Sequence, residues 1–380
     1  MNSKIYDVAV LGAGASGLFF GSMIKDRSIC IIDANKDIGA KIKISGGGRC
    51  NITNKRVSEN NYLGDKEFIK KTFDTFSNTD FLSYLKQNNL QLSLEDKIVK
   101  GQYFFKKSTV LIEFLKKQIN HAKLFLNTKV EDVDFNEYYS IKTSNGIIKA
   151  KKLIIASGGE SYRSIGASTI GFDMAKKFGH TINRTSPALV GFTVQKDQFW
   201  FKELSGLSQR VAITIDGKRF YQDMLFAHKG CSGPVVLNAS LYWQKGNMQI
   251  DFLPDFDLNK LSGNSLISSR IPAPKRFVKA FLQSIDLDDK PISKLSSEEK
   301  KKLQSIKAYT FSPAGTFGYT KAEVTKGGVS TDEIDQNTFL SLKQKDLYFI
   351  GEVLDVTGEL GGYNFQWAFS SAYKCAKGFD

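Results

Sequence analysis

Three glycines near the start of the chain have the Gly-x-Gly-x-x-Gly spacing that can bind the diphosphate of a dinucleotide: Gly12, Gly14 and Gly17. An apolar run ends at Leu11 before them and another begins at Leu18 after them, which predicts a strand, a tight turn and a helix. The first glycine permits the turn, the second lets the diphosphate approach the helix N-terminus, and the third lets helix and strand pack closely. The turn residues predicted to contact a dinucleotide are Gly12, Gly14, Ala15, Ser16 and Gly17.

An acidic residue supports this interpretation. Asp33 follows the apolar run Ile29–Ile32 and lies sixteen residues beyond Gly17. A carboxylate at the end of the second strand can accept hydrogen bonds from the hydroxyl groups of the adenosine ribose. Because strand, turn, helix and acidic residue agree, we expect a dinucleotide site rather than a glycine-rich turn with only a structural role.

A glycine-rich segment near the C-terminus indicates that the dinucleotide is FAD. Residues 351–364 follow a strand that ends at Ile350 and precede a helix, whose N-terminus carries a partial positive charge. A reduced flavin carries negative charge near N1 and the C2 carbonyl, so a helix start directed there raises its electron affinity. Asp355 could hold the ribitol chain, and the alternative is a turn that only docks the C-terminus. The contacts predicted from this segment are Gly351, Asp355, Gly361, Gly362, Tyr363, Asn364 and Phe365.

A third cluster contains three successive glycines, residues 46–48. A backbone without side chains can lie flat against a planar ring, and Arg49 and Asn51 then provide hydrogen-bond donors close to it. A mobile phosphate-binding loop is the alternative. The predicted contacts are Lys41, Ser45, Gly46, Gly47, Arg49, Cys50 and Asn51, together with Val130 and Gly158 from later in the chain.

The pattern along the chain predicts an α/β fold with a Rossmann-type FAD-binding domain built from both chain ends. Helical spacing at 66–90 and short strand-like runs at 91–105 lie within this domain. Near Pro187 the pattern changes to short strands and turns, which predicts an inserted antiparallel β domain, and a polar lysine-rich stretch predicts a small helical domain. The predicted domains are the FAD-binding domain (1–186 and 322–380), the β domain (187–256 and 307–321) and the helical domain (257–306).

The composition argues against several classes of protein. No apolar stretch of the 380 residues approaches eighteen, so we expect no membrane span, and the first strand begins so close to Met1 that we expect no signal peptide. Four scattered cysteines form no Cys-x-x-Cys pair, so neither a metal site nor a redox disulfide is predicted, and a cytoplasmic location is the expectation. No tether for the flavin stands out, so we expect noncovalent FAD.

The chain is strongly basic, with 53 basic and 39 acidic residues and a net charge of +14. Such a balance favours a polyanion such as RNA through phosphate contacts and counterion release. Only nine of the basic residues are arginine, and the chain is rich in lysine, asparagine and isoleucine, so composition alone is the other explanation. An RNA substrate and a small molecule both remain open as partners, and the oligomeric state is not predicted.

The three clusters resemble those of the YhiN/BaiN-type FAD-dependent oxidoreductases, also called aminoacetone-oxidase-like or RdsA-type flavoproteins. The resemblance covers nearly the whole chain, and its specific parts are the SGGGRCN segment at 45–51 and the GGYN segment at 361–364. It implies a split FAD domain with a barrel-like insertion and a small helical domain. It also implies enzymes that reduce uridine to dihydrouridine in large-subunit (23S) ribosomal RNA, or that reduce steroid-like enones. Departures from the family pattern at 102–105, 163 and 169–170 lie in segments that could border the substrate.

Only one Gly-x-Gly-x-x-Gly pattern is present, so a second domain for NAD(P)H is not expected. NAD(P)H would then dock transiently as the electron donor and leave before the substrate is reduced. Cys50 and His228 are the candidate catalytic residues, as acids close to the flavin. A buried inert thiol and a loop hydrogen bond are the alternatives for these two residues. Tyr162 and Tyr363 could donate protons or pack against the ring.

These observations predict an FAD-dependent oxidoreductase, with NAD(P)H-driven reduction of an activated carbon–carbon double bond as the first hypothesis. The positive charge favours the ribosomal RNA version of this hypothesis. A flavin oxidase of a small amine or amino ketone that uses oxygen is the second hypothesis. A nucleic-acid-binding flavoprotein with structural FAD is the third.

Overall fold

A computed structural model describes residues 4–96 and 99–379. The chain forms two compact units. Unit 1 contains the residues up to Pro187 and those from Glu323 onward, and unit 2 is Ala188–Ala322. Two residues of the strand-like region predicted at 91–105, namely 97 and 98, lie outside the described residues. The division into three domains stays a prediction.

The helices are α1 (Ala15–Met23), α2 (Ala40–Gly48), α3 (Lys66–Thr75), α4 (Asn78–Gln87), α5 (Ser108–Gln118), α6 (Ile170–Lys177), α7 (Trp200–Glu203), α8 (Pro234–Tyr242), α9 (Ile267–Arg270), α10 (Lys275–Ser284), α11 (Ser297–Gln304) and α12 (Tyr363–Lys377). The strands are β1 (Ile5–Leu11), β2 (Ile29–Ile32), β3 (Asn51–Asn54), β4 (Tyr62–Leu63), β5 (Ser93–Glu95), β6 (Gln102–Phe104), β7 (Lys123–Phe125), β8 (Val130–Phe135), β9 (Tyr139–Thr143), β10 (Gly146–Ile155), β11 (Ile182–Ala188), β12 (Phe192–Val194), β13 (Ser208–Ile215), β14 (Lys218–Ala227), β15 (Gly230–Ser232), β16 (Met248–Asp251), β17 (Tyr309–Phe311), β18 (Pro313–Thr316), β19 (Val324–Val329), β20 (Leu347–Phe349) and β21 (Thr357–Gly358).

The main sheet of unit 1 has the strand order β7-β2-β1-β10-β9-β8, and β20 also pairs with β10. Strands β7, β2, β1, β10 and β20 run parallel, whereas β9 and β8 form an antiparallel meander on the first half of β10. In register, Leu11 lies opposite both Ile32 and Ile155. The loops that follow β1, β2, β10 and β20 therefore meet at one edge of the sheet, where ligands bind in open α/β folds.

The apolar sequences of the inner strands have a direct physical cause. Residues 8–11 and 29–32 are buried, as expected for parallel strands covered on both faces. Helices α1 and α12 pack against one another, and the ring of Phe19 lies 5.2 Å from that of Phe369 in a T-shaped contact. Packing of this kind fixes the N-termini of both helices relative to the sheet edge.

Strands β11 and β19 connect unit 1 to the inserted residues. The two strands pair with each other, and the Ser330 N–H donates to the Thr181 carbonyl. A Cβ on Gly327 would lie 2.3 Å from the Arg184 carbonyl oxygen, so the pairing runs antiparallel. The chain therefore leaves unit 1 after Pro187 and returns at Glu323 from neighbouring strand ends.

Unit 2 contains a mostly antiparallel sheet with the order β17-β16-β13-β14-β15-β12-β18. The Asp216-Gly217 turn joins β13 and β14, which pair from Ile215 and Lys218 to Ser208 and Leu225. Phe277 of α10 lies 4.9 Å from Phe252 beside this sheet, so helices of the lysine-rich segment share an aromatic core with the strands. The predicted fold class, a split Rossmann-type domain with an antiparallel insertion, is confirmed.

Across the described ranges 4–96 and 99–379, no helix combines the length and the apolar character that crossing a membrane requires.

Candidate functional site

The N-terminus of α1 is open to a ligand. Gly14 is the N-cap residue, no side chain caps the helix, and its first turn contains no acidic residue. A Cβ on Gly14 would meet nothing within 4 Å. The free N–H groups and the positive end of the helix dipole therefore face space that a diphosphate can occupy.

The other two glycines of the motif have the packing roles that the sequence predicts. A Cβ on Gly12, whose φ is +113°, would lie 2.4 Å from the carbonyl oxygen of Ala156. A Cβ on Gly17 would lie 2.0 Å from the carbonyl oxygen of Gly12. These distances allow only hydrogen at both positions, so the turn is specified by its own backbone contacts.

Asp33 supports the same turn from the end of β2. Its Oδ2 accepts a hydrogen bond of 2.7 Å from the Ala13 N–H, and its Oδ1 accepts one of 2.8 Å from the Asn35 N–H. The Thr128 N–H donates to the Asp33 carbonyl at 2.9 Å, which places Val130 of β8 two residues from this corner. A ribose contact by Asp33 and a cofactor contact by Val130 stay predictions.

The triple-glycine cluster forms the C-terminal half of α2. Ser45, Gly46 and Gly47 leave the helical conformation, and a Cβ on Gly47 would meet nothing within 4 Å. The guanidinium of Arg49 makes a two-pronged ion pair with Glu95 at 2.7 and 2.8 Å, and lies 4.4 Å from the centre of the Phe104 ring. Arg49 therefore has a protein partner, and its contact with a flavin stays a prediction.

The second and third clusters meet in space. A Cβ on Gly362, whose φ is +92°, would lie 2.5 Å from the Thr53 carbonyl oxygen and 2.7 Å from Asn51 Oδ1. The buried Oδ1 of Asn51 has no hydrogen-bond partner within the described part of the chain. Asn54 Nδ2 donates to the Gly361 carbonyl at 3.2 Å. Strand β3, which follows α2, and the loop before α12 therefore form one surface.

The glycine-rich segment near the C-terminus also reaches the first cluster. A Cβ on Gly351 would lie 2.5 Å from Ser16 Oγ, and the Gly351 N–H donates to Ser371 Oγ at 3.0 Å. The N-terminus of α12 follows Gly362 and, like that of α1, has no side-chain cap, so two uncapped helix N-termini belong to this site. The structure thus brings together the three sequence clusters at the carboxyl edge of the sheet.

The remaining residues of the C-terminal segment mostly make protein contacts. The Asp355 carboxylate accepts a hydrogen bond of 2.7 Å from Asn183 Nδ2, and burial raises its pKa. Asn364 exchanges two hydrogen bonds with the Gly358 backbone, at 2.9 and 2.8 Å. The Tyr363 ring packs edge-on against Tyr62, and Phe365 is half-buried. Their contacts with FAD stay predictions.

Two further predicted contacts lie after β10 and at the start of α2. Gly158 has a φ of +73°, and a Cβ there would lie 3.7 Å from Glu352 Oε2. The Nζ of Lys41 makes a 2.7 Å ion pair with the same carboxylate. Ser157 Oγ is buried without a hydrogen-bond partner among the described residues. Lys41 and Gly158 therefore both lie close to Glu352 Oε2.

Cys50 has a deeply buried side chain and a left-handed backbone, with a φ of 55°. Burial raises the pKa of its thiol to about 12, although a hydrogen bond with Ser45 opposes the effect. Efficient acid catalysis uses a group whose pKa is near the working pH. The environment therefore favours the inert-thiol interpretation, and a catalytic role stays a prediction.

His228 is exposed at the turn between β14 and β15 in unit 2. Ala227 pairs with Gly230, so His228 and Lys229 are the two residues of a tight hairpin. Its catalytic role also stays a prediction.

Sequence reasoning missed a cluster of carboxylates beside Gly158. Thr325 Oγ1 accepts from the N–H groups of Glu160 and Ser161 at 2.8 and 3.2 Å, and the Thr325 N–H donates to Glu352 Oε1 at 2.9 Å. Glu323 stands two residues before Thr325, and burial raises the pKa of its carboxyl to about 7. The only sequence signal was the proximity of these residues to glycine pairs at 158–159 and 327–328.

The residues present fit FAD. Open space beside Gly14 and Gly47, two uncapped helix N-termini and the unpartnered polar atoms of Asn51 and Ser157 belong to one edge of the sheet. A dinucleotide supplies a diphosphate for a helix start and polar groups for buried oxygens.

Comparison with known proteins agrees with this geometry. Residues 6–378 match the family described as "HI0933-like protein Rossmann domain". The ribosomal RNA dihydrouridine synthase of Haemophilus influenzae is 37% identical over 397 residues, which cover 98% of this chain and 98% of the relative. The protein of the same name from Escherichia coli K12 is 36% identical, with coverage of 98% and 97%. The 3-dehydro-bile acid delta(4,6)-reductase of Clostridium scindens is 27% identical, with coverage of 96% and 97%.

Solved structures share the fold at low sequence identity. The quinol fumarate reductase FrdA of Escherichia coli aligns with a TM-score of 0.52 and 14% identity, covering 99% of this chain and 70% of that chain. Sdh1 of Mycobacterium smegmatis in complex with UQ1 also aligns with a TM-score of 0.52 and 14% identity, covering 100% and 69%.

The fold and site define a flavin oxidoreductase with a Rossmann-type FAD-binding domain. Within that class, the chain belongs to the HI0933-like family. The resemblance inferred from the SGGGRCN and GGYN segments is therefore confirmed.

Proposed function

We propose that this protein reduces the activated carbon–carbon double bond of uridine in ribosomal RNA to give dihydrouridine, with NAD(P)H as the electron donor. The observation that carries the proposal is the full-length similarity, at 37% identity, to a ribosomal RNA dihydrouridine synthase. The net charge of +14 suits an RNA substrate.

FAD would supply hydride chemistry at this site when bound. The chain itself would hold the diphosphate at the α1 N-terminus, where Gly14 leaves room for it. The α12 N-terminus provides a second partial positive charge, which favours a negatively charged flavin. The backbone of Gly46 and Gly47 provides a surface without side chains for a planar ring.

The proposed electron donor, NAD(P)H, binds only transiently. The chain has a single Gly-x-Gly-x-x-Gly pattern, and that pattern belongs to the proposed FAD site. NAD(P)H would therefore dock at the flavin and leave before the RNA substrate binds.

The decisive experiment compares purified wild-type protein with and without each pyridine nucleotide under argon. We expect NADPH or NADH to bleach the flavin absorbance, and transcripts of large-subunit ribosomal RNA to restore it as dihydrouridine forms. Mass spectrometry of digested ribosomal RNA from a deletion strain and its parent is the cellular counterpart. Identical dihydrouridine content in both strains, together with a reduced flavin that RNA does not reoxidise, would refute the RNA substrate.

A second candidate substrate is a small steroid-like enone, which the similarity to the bile acid reductase favours. Both candidates share an electron-poor double bond conjugated with a carbonyl group. Reoxidation of the reduced flavin by an enone but not by RNA would support this candidate. Peroxide formation with small amines as substrates would instead support the oxidase hypothesis.

A further inference from the structure

Five charged side chains surround the loop that follows β10: Lys41, Glu160, Arg163, Glu323 and Glu352. Lys41 pairs with Glu352 at 2.7 Å, and Arg163 pairs with Glu160. Thr185 Oγ1 also donates to Glu160 at 3.0 Å. Two of the three carboxylates therefore have their own cation and further hydrogen bonds.

Glu323 differs from the other two carboxylates. No described residue gives it a hydrogen bond or an ion pair, and it acts on Lys41 and Tyr162 only through the longer-range electrostatic interaction. Burial raises the pKa of the Glu323 carboxyl to about 7, while the Lys41 ammonium opposes that rise. With three carboxylates and two cations in the cluster, the unpaired carboxyl is the one that takes up a proton at neutral pH.

Glu323 stands directly before β19, two residues from Thr325. Thr325 links this part of the chain to the loop after β10, because its Oγ1 accepts from the Glu160 and Ser161 N–H groups and its own N–H donates to Glu352 Oε1. The Thr325 side chain occupies the space beside Gly159, because a Cβ on that glycine would lie 2.5 Å from Thr325 Oγ1. Glu323 is half-buried, so solvent can reach it.

A strained residue lies in the same cluster. Tyr162 has a left-handed backbone, with a φ of 64°, although it carries a side chain. Non-glycine residues in this conformation cost free energy and occur often at active sites. Burial and the neighbouring Glu323 raise the pKa of the Tyr162 phenol, so the phenol stays protonated at neutral pH.

We propose that Glu323 is the proton donor of the reduction, and this inference rests on the proposed function. Hydride addition to one carbon of the double bond breaks its π bond and places an electron pair on the neighbouring carbon, next to the carbonyl group. That carbon takes the proton of the Glu323 carboxyl, and a carbon–hydrogen bond forms as the oxygen–hydrogen bond breaks. The two electrons come from a pyridine nucleotide through the flavin, and solvent returns the proton to the Glu323 carboxylate.

The first test is spectroscopic and needs neither substrate nor cofactor turnover. Infrared difference spectra of wild-type protein minus Glu323→Gln should contain the carbonyl band of a protonated carboxylic acid at pH 6. The band should vanish as the pH rises through about 7. The control is a Glu298→Gln variant, changed at an exposed residue of α11. The same band should appear when the spectrum of Glu323→Gln is subtracted from that of Glu298→Gln. A wild-type spectrum with no such band between pH 5 and 8 would overturn the proposal.

The second test separates proton donation from electron entry. Glu323→Gln should be reduced by NAD(P)H at the wild-type rate, yet transfer to substrate should fall about 10²- to 10⁴-fold. Glu323→Asp keeps a carboxyl group and should recover part of that loss, whereas wild-type transfer should decline above pH 7. Wild-type transfer rates in Glu323→Gln would overturn the proposal. Failure of the proposed function looks different, because wild-type protein would then transfer nothing to uridine or to an enone while the infrared band still titrates.

Should Glu323→Gln fail to fold, Glu323→Asp serves as the test variant in both measurements. Its shorter side chain should shift the titration midpoint of the band and lower transfer without changing flavin reduction. An unchanged midpoint together with unchanged transfer in Glu323→Asp would count against Glu323 as the donor.

Discussion

Gly14 and Gly17 differ in what an added methyl group would meet. A Cβ on Gly14 would enter open space, whereas one on Gly17 would lie 2.0 Å from a carbonyl oxygen. Gly14 is therefore expected to matter for cofactor binding, and Gly17 for folding.

We predict that Gly14→Ala folds normally but loses FAD, because the methyl group occupies the proposed diphosphate space. Gly17→Ala should destabilise the protein by about 1–3 kcal/mol or more, since helix and turn must move apart. Absorbance at 450 nm measures bound FAD, and thermal unfolding of cofactor-free protein measures stability. A Gly14→Ala protein that binds FAD as tightly as wild type would contradict the proposed diphosphate position.

A second prediction concerns Lys41. Its ammonium lowers the pKa of Glu323, so Lys41→Gln should move that pKa further above 7. Infrared titration of the Glu323 band in cofactor-free protein measures the change. Lys43→Gln, at an exposed position two residues along α2, is the matched control and should leave the midpoint in place. A midpoint that falls in Lys41→Gln would show that another cation governs Glu323.

At the level of elements, the segment after α6 is held by a buried histidine. The ring Nε2 of His180 lies 2.6 Å from Ser341 Oγ, and Nδ1 lies 3.2 Å from Glu333 without the alignment of a hydrogen bond. Burial lowers the pKa of His180, and Lys343 adds to this effect while Glu333 opposes it. His180 therefore joins α6 to the residues before β20 in its neutral form.

The burial of neutral His180 predicts that the folded protein becomes less stable in acid. Below about pH 6.5 the unfolded chain binds a proton that folded His180 resists, so the free energy of unfolding should fall as the pH drops toward 5, by at most about 1.4 kcal/mol per pH unit. Urea unfolding between pH 5 and 8 measures this slope. The slope should be shallower in His180→Gln and unchanged in His228→Gln, a variant of an exposed histidine. Equal slopes in wild type and His180→Gln would assign the acid sensitivity to other groups.

The elements also show which features a sequence can predict. The turn at Gly12–Gly17 was predictable because it depends on the spacing of its glycines and on close contacts that leave no room for a side chain at Gly12 and Gly17. The helical region predicted at 66–90 is two helices, since Ser77 caps a new helix after α3 ends. His180 is buried in the segment after α6 because Glu333 and Ser341, which are distant in sequence, lie against it, and no local pattern indicates this burial.

The candidate site was only partly predictable, because local motifs can be read from the sequence whereas contacts between distant residues cannot. Its three clusters are contiguous motifs, so their residue types indicated FAD before their positions were known. The environment of Glu323 comes from Lys41 and Tyr162, which are far from it in sequence. The partner of Arg49 is likewise Glu95, from a different strand. Ion pairs between segments that are distant in sequence leave no local sequence pattern from which they could be predicted.

For the whole molecule, the antiparallel pairing of β11 and β19 predicts that unit 1 folds without unit 2. Replacing residues 188–322 by a short Gly/Ser turn should give a protein that keeps 245 residues of this chain and binds FAD, because the chain leaves and re-enters unit 1 at adjacent strand ends. Size-exclusion chromatography and absorbance at 450 nm check folding and cofactor content. A control that deletes 188–322 together with β19 should be unfolded. An insoluble first variant would mean that unit 2 contributes to the stability of unit 1.

Because the strand ends at Pro187 and Glu323 are neighbours, one inserted domain could be exchanged for another at this point during evolution. Any autonomous sequence whose own termini lie side by side can be accepted there without altering the register of a hydrogen-bonded strand. A different inserted domain could therefore be accommodated between these two positions while unit 1 keeps its fold.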